Sequence, residues 1–111
     1  MNPEPFKWVK RYIELISYKW APRNKAMQNA RRVSQLKDKR TKWQYQCNGC
    51  KEWFKGSQIQ LDHVKPKGLY SKETFFVWLD RLFCEVEGFQ VLCVPCHAKK
   101  TKQEQEDGEY K

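Results

Sequence analysis

The sequence predicts a small α+β domain stapled by a structural zinc ion and preceded by a basic helical segment. Four of the five cysteines form two C-x-x-C pairs, Cys47/Cys50 and Cys93/Cys96. Apolar residues recur at helical spacing in some stretches and alternate with polar ones in others, which is the signature of mixed helix and strand. Net positive charge is confined to one end. Positions 1–46 hold 12 basic and 3 acidic residues and positions 47–111 hold 10 of each, so the whole formal net charge of +9 precedes the first cysteine. This divides the chain into a basic helical extension over 1–42, a cysteine-rich module over 43–107 and a polar tail over 108–111.

Residues 5 to 18 carry Phe6, Val9, Tyr12, Ile13 and Ile16 at helical spacing, with Pro3 and Pro5 suited to a helix start. Trp20-Ala21-Pro22 breaks this helix. A second helical pattern runs from Asn24 to Leu36, with Ala26, Ala30, Val33 and Leu36 on its apolar side and Arg23, Lys25, Arg31 and Arg32 on its other faces. From Thr41 the run TKWQYQC reads as a strand leading into the first cysteine pair, where Asn48-Gly49 forms a tight turn that uses glycine's tolerance of positive φ. Gln58 to Val64 alternates polar and apolar, a second strand that exits at Pro66-Lys67-Gly68. Residues 72–84 read as a helix capped by Ser71, with Phe75, Trp78, Leu79 and Leu82 on one face and Cys84 in the core. Gly88 resets the chain, Phe89 to Val94 is the returning strand, and Pro95 to Glu106 is a terminal helix.

Composition excludes several classes. Hydrophobic residues at 40% and aromatics at 14% exclude a chain that is disordered throughout. There is no apolar run of membrane-spanning length, and MNPEPFKWVK lacks the apolar stretch of a secretory signal, so no membrane partner is expected and the cytoplasm is the expected compartment. In that compartment an odd number of cysteines argues against a disulfide framework and for metal. Two knuckles 42 residues apart supply four thiolates, enough to close a tetrahedral zinc site. The competing redox reading needs a single C-x-x-C between a strand and a helix, so two matched pairs disfavour it.

The two histidines bear on function. His63 follows Asp62 at the end of the second strand, and His97 follows the last cysteine at the start of the final helix. If both knuckles bind one zinc ion, Asp62, His63 and His97 can meet in one cleft, where a carboxylate and an imidazole, with water and substrate oxygens in the other positions, suit Mg²⁺ or Mn²⁺. Adjacent strand residues point to opposite faces, so a bend or bulge is expected to re-aim Asp62 or His63. Taken singly, either histidine reads as an ordinary satisfied residue.

The segments C47-N-G-C50, L61-D-H-V-K-P66 and L92-C-V-P-C-H-A-K-K-T101 together resemble the His-Asn-His (HNH) endonucleases, especially the small zinc-stapled type common in bacteriophages. The match covers residues 47–101, about half the chain. The resemblance implies a ββα-metal, treble-clef-like HNH core that hydrolyses phosphodiester bonds with one catalytic divalent ion. Carried over by position, His63 would be the general base, Asp62 and His97 the ligands of the catalytic ion, and Cys47, Cys50, Cys93 and Cys96 the structural zinc ligands. Products would carry 5′-phosphates. One position departs from the family: its middle asparagine, which braces the loop of the general base, is Gly88 here, with Gln90, Glu87 or Glu85 as substitutes.

DNA is thus the expected partner, with Arg23, Lys25, Arg31, Arg32, Lys65, Lys67, Lys99 and Lys100 as expected contacts, and other phage proteins as further partners. For a phage-encoded chain the compartment would be the host cytoplasm. A second reading is a zinc-stapled nucleic-acid-binding module without catalysis. A third is an interaction adaptor that presents Trp8, Trp20, Trp43 and Trp53 as an aromatic surface.

Overall fold

The computed structural model describes residues 4–106, so the expected tail lies outside the described residues. Helix α1 spans Pro5–Ser17. Its start is fixed by Glu4, whose carboxylate accepts from the backbone N–H groups of Phe6 and Lys7, and by Pro5, which sets φ where no N–H is needed. Phe6 anchors the helix by stacking on Tyr70 at 4.4 Å and meeting Phe75 edge-on at 5.7 Å.

Helix α2 spans Ala21–Asn29 and ends well before Leu36. Arg31–Val33 is strand β1, which pairs antiparallel with β2, Trp43–Gln46. This corrects the helix expected over 24–36. The apolar periodicity there was fortuitous, since Val33 is 70% exposed. Strand geometry is enforced from outside the segment: the buried Gln44 side-chain oxygen accepts from Arg32 Nε and Nη2 and from the Gln35 N–H. A short strand not foreseen, β3 at Trp53–Lys55, pairs with the other edge of β2. The chain on either side of residue 42 is therefore joined in one three-stranded sheet.

A second sheet pairs β4, Ile59–His63, with β5, Phe89–Cys93, as expected in outline. Between them lies α3, Phe75–Leu82, shorter than the expected 72–84 and entered at Thr74. Ser71 stands a turn earlier, where its hydroxyl accepts from the Thr74 N–H. The buried face of α3 is Trp78 and Leu82, 1% and 2% exposed. Cys84 is half-buried, and its carbonyl accepts from Trp20 Nε1 at 2.6 Å, which ties the link between α1 and α2 to the end of α3. Helix α4, Val94–Glu106, leaves β5 directly and lies back across β4 and β5. The result is two antiparallel strands followed by a helix, with α2 against β5.

The β4–β5 register is unbroken through Asp62↔Gln90 and His63↔Phe89. There is no bulge, and this overturns the expectation that one of Asp62 and His63 is re-aimed. Ladder pairing continues to the last residue of β4, so strand alternation keeps the two side chains on opposite faces. Among the described residues no helix is long and apolar enough to cross a membrane.

Candidate functional site

Cys47 and Cys50 lie on the turn after β2, and Cys93 and Cys96 at the junction of β5 with α4. Their sulfurs all lie within 4.8 Å of one another, and Cys50 Sγ and Cys93 Sγ are 3.9 Å apart. Tetrahedral zinc with bonds of about 2.3 Å needs sulfurs about 3.8 Å apart, so the four fit one ion. Cys47 is fully buried and packs with Leu92 and Cys93, closed off by Phe54 and Cys96. Burial works against its thiolate, but the N–H groups of Cys50, Cys93 and Gly49 point at Sγ and outweigh burial, taking the thiol down to about 6. Cys96, crowded first by Cys93 and then by Cys47, is pushed up to about 12. This cluster could hold a metal ion such as zinc.

The glycine of the knuckle acts differently from the expectation. The left-handed residue is Lys51, φ 64°, and Gly49 is not at positive φ. A Cβ at Gly49 would stand 3.1 Å from Cys96 Sγ, so the glycine is needed for close approach of the second cysteine pair.

Beside this cluster, Asp62 on β4 faces α4. Its Oδ1 lies 3.4 Å from His97 Nε2, and its Oδ2 lies 3.1 Å from Lys100 Nζ and accepts from Gln90 Nε2 at 3.0 Å. Gln90 is held in turn by Asn48 Nδ2 at 2.7 Å, which links the carboxylate to the cysteine knuckle. Adjacent ligands of an octahedral Mg²⁺ with bonds of about 2.1 Å stand about 3 Å apart, so Asp62 and His97 are suited to share one ion that keeps several waters.

His63 is on the other face of the strand and does not join this pair. Its Nε2 lies 3.2 Å from the carbonyl of Leu82, which only accepts, so the neutral ring carries its proton on Nε2 and leaves Nδ1 as an acceptor. Burial first, then the charges of Lys67 and Arg23, hold the imidazole below its ordinary range, so it is neutral at pH 7. The ring lines a cleft of about 410 Å³ whose walls include Arg23, Lys67 and Glu14.

Gly88 has a steric reason. A Cβ there would meet Cys84 Sγ at 2.5 Å and Cys84 Cβ at 2.8 Å, so an asparagine has no room. The Gly88 carbonyl instead accepts from the N–H of Val64, just after His63, at 2.8 Å.

The expected DNA contacts are dispersed. Arg31 stacks on Trp43 at 3.9 Å and Arg32 on Trp53 at 4.0 Å, from opposite faces of β1. Arg23 lies over Tyr18 and Phe89 at 4.8 and 5.6 Å, and Lys67 pairs with Glu14 at 3.2 Å. Lys25, Lys65 and Lys99 are exposed, whereas Lys100 is turned toward Asp62. Trp20, Trp43 and Trp53 are half-buried, so of the four tryptophans named for an adaptor surface only Trp8 is exposed.

The sequence reading missed Asn48 and Glu104. Glu104 was detectable, since it shares a face of α4 with His97 and Lys100 by helical spacing. Asn48 is brought to Gln90 only by the closing of the cysteine cluster. Comparison with protein-family models, with curated proteins and with solved structures gives no match.

Proposed function

We propose that the chain is a metal-dependent DNA endonuclease of the HNH type, with zinc on its four cysteines as a structural ion. The observation that carries this reading is the meeting of Asp62 and His97 across β4 and α4, next to the cysteine cluster, at a separation suited to one divalent ion. Asp62 and His97 would hold Mg²⁺ or Mn²⁺, which would supply charge stabilisation at the scissile phosphate and the leaving 3′ oxygen.

The chain's own groups do the rest. His63, neutral and with Nδ1 free to accept, takes the proton of the attacking water. Gln90 and Asn48 fix the rotamer of Asp62. Arg31, exposed and held over the Trp43 ring, offers its N–H groups to phosphate, whereas Arg32 is committed to Gln44.

The zinc-stapled binding module without catalysis is the second reading, favoured by the separation of His63 from the Asp62–His97 pair. Supercoiled plasmid separates the two. Full-length zinc-loaded protein is expected to nick or linearise it only when Mg²⁺ or Mn²⁺ is added. Protein that binds the plasmid and leaves it intact with every divalent ion tried is the binding module.

A further inference from the structure

Lys100 lies among the candidate catalytic residues without a part in the chemistry above. Its ammonium is 3.1 Å from Asp62 Oδ2, donates to the main-chain carbonyl of His63 at 2.9 Å, and pairs with Glu104 one turn further along α4. An ammonium has three donors and no acceptor, so these three oxygens use it fully. The surroundings are closed as well: the Lys100 side chain is 22% exposed and those of Asp62 and Glu104 are 12% exposed. A group so committed is not a free phosphate contact.

Two of the three acceptors belong to consecutive residues whose side chains leave opposite faces of β4. By holding Asp62 Oδ2, Lys100 leaves Oδ1 directed at His97. By holding the His63 carbonyl, it fixes the peptide that carries the imidazole. We infer that Lys100 is a positioning residue, which locks the ion-binding carboxylate and the histidine backbone into one geometry. The inference rests on the nuclease reading of Asp62, His63 and His97. Such a lock weakens ion binding, because a positive charge touches the carboxylate that must receive a divalent cation. Removing it therefore moves ion affinity and catalysis in opposite directions.

The test compares wild type with Lys100→Met and Lys100→Arg as full-length zinc-loaded proteins. Mn²⁺ affinity is read from the electron paramagnetic resonance of free Mn²⁺, and kcat from plasmid cleavage at saturating Mn²⁺. Lys100→Met is expected to bind Mn²⁺ roughly tenfold tighter. Its kcat is expected to fall roughly ten- to a hundredfold, the effect of a misplaced reacting group. Lys100→Arg, which keeps the charge, is expected to return Mn²⁺ affinity to near the wild-type value. Affinity and rate that fall together make Lys100 an ordinary packing contact and overturn the inference. Affinity and rate that rise together make it a mere competitor for the ion, and no change in either shows that it holds nothing; both results overturn the inference too. If Lys100→Met does not fold, Lys100→Gln takes the same two measurements. Wild-type protein that cuts no DNA contradicts the nuclease reading itself, a result distinct from all of these.

Discussion

Cys47→Ser is expected to unfold the cysteine-rich part of the chain rather than trim its activity, and Cys96→Ser to do the same. Structural zinc sites contribute on the order of 10 kcal/mol to folding, which is comparable to the whole stability of an ordinary domain. The apolar core around the cluster is thin: Cys47, Leu92 and Cys93 are its buried members, with Phe54 and Cys96 at its edge. Cys47 also receives three backbone N–H groups at its sulfur, so the loss of that thiolate unsettles the knuckle and the end of β5 together. Metal analysis together with circular dichroism checks this. Wild type is expected to hold one zinc ion per chain and both variants to hold none and lose the cooperative melt. Well-folded wild-type protein without zinc contradicts it.

The second large effect separates the two faces of β4. His63→Ala is expected to slow cleavage by roughly a hundredfold or more, as for loss of a general base. Mn²⁺ affinity is expected to stay unchanged, because His63 points at Leu82 and not at the Asp62–His97 pair. Asp62→Ala and His97→Ala are expected to weaken the ion instead, so that added Mn²⁺ restores part of their rate and none of the rate of His63→Ala. DNA affinity is expected to persist in all three, since phosphate contacts come mainly from lysine and arginine. Zinc content is measured in each variant, because His97 adjoins Cys96. Three variants that cut like wild type contradict the assignment of roles.

The sequence displayed the parts of this site that depend on local chemistry. Spacing alone paired Cys47 and Cys50 with Cys93 and Cys96, and the alternation of β4 and β5 and the helical run of α4 were visible as patterns. What was hidden depends on partners distant in sequence. Arg31–Val33 becomes a strand because Gln44 and Trp43 offer it an edge and a side-chain clamp, and nothing within residues 24–36 encodes that edge. The direction of His63 was open to misreading for the same reason: only the register with Phe89 shows that the strand runs straight through it. Gly49 and Gly88 were read through backbone freedom and family position, yet each is set by a cysteine pressing against it. The link from Asn48 through Gln90 to Asp62 arises only when the knuckle closes on β5.

The central claim is that Asp62 and His97 hold one catalytic ion. Equilibrium dialysis of zinc-loaded protein against Mn²⁺ tests it most directly, with wild type, Asp62→Ala and His97→Ala side by side. The account predicts one Mn²⁺ per wild-type chain beyond the zinc, and that ion lost from both variants at the same free Mn²⁺ concentration. Equal Mn²⁺ binding by all three proteins, or none by wild type, would contradict it.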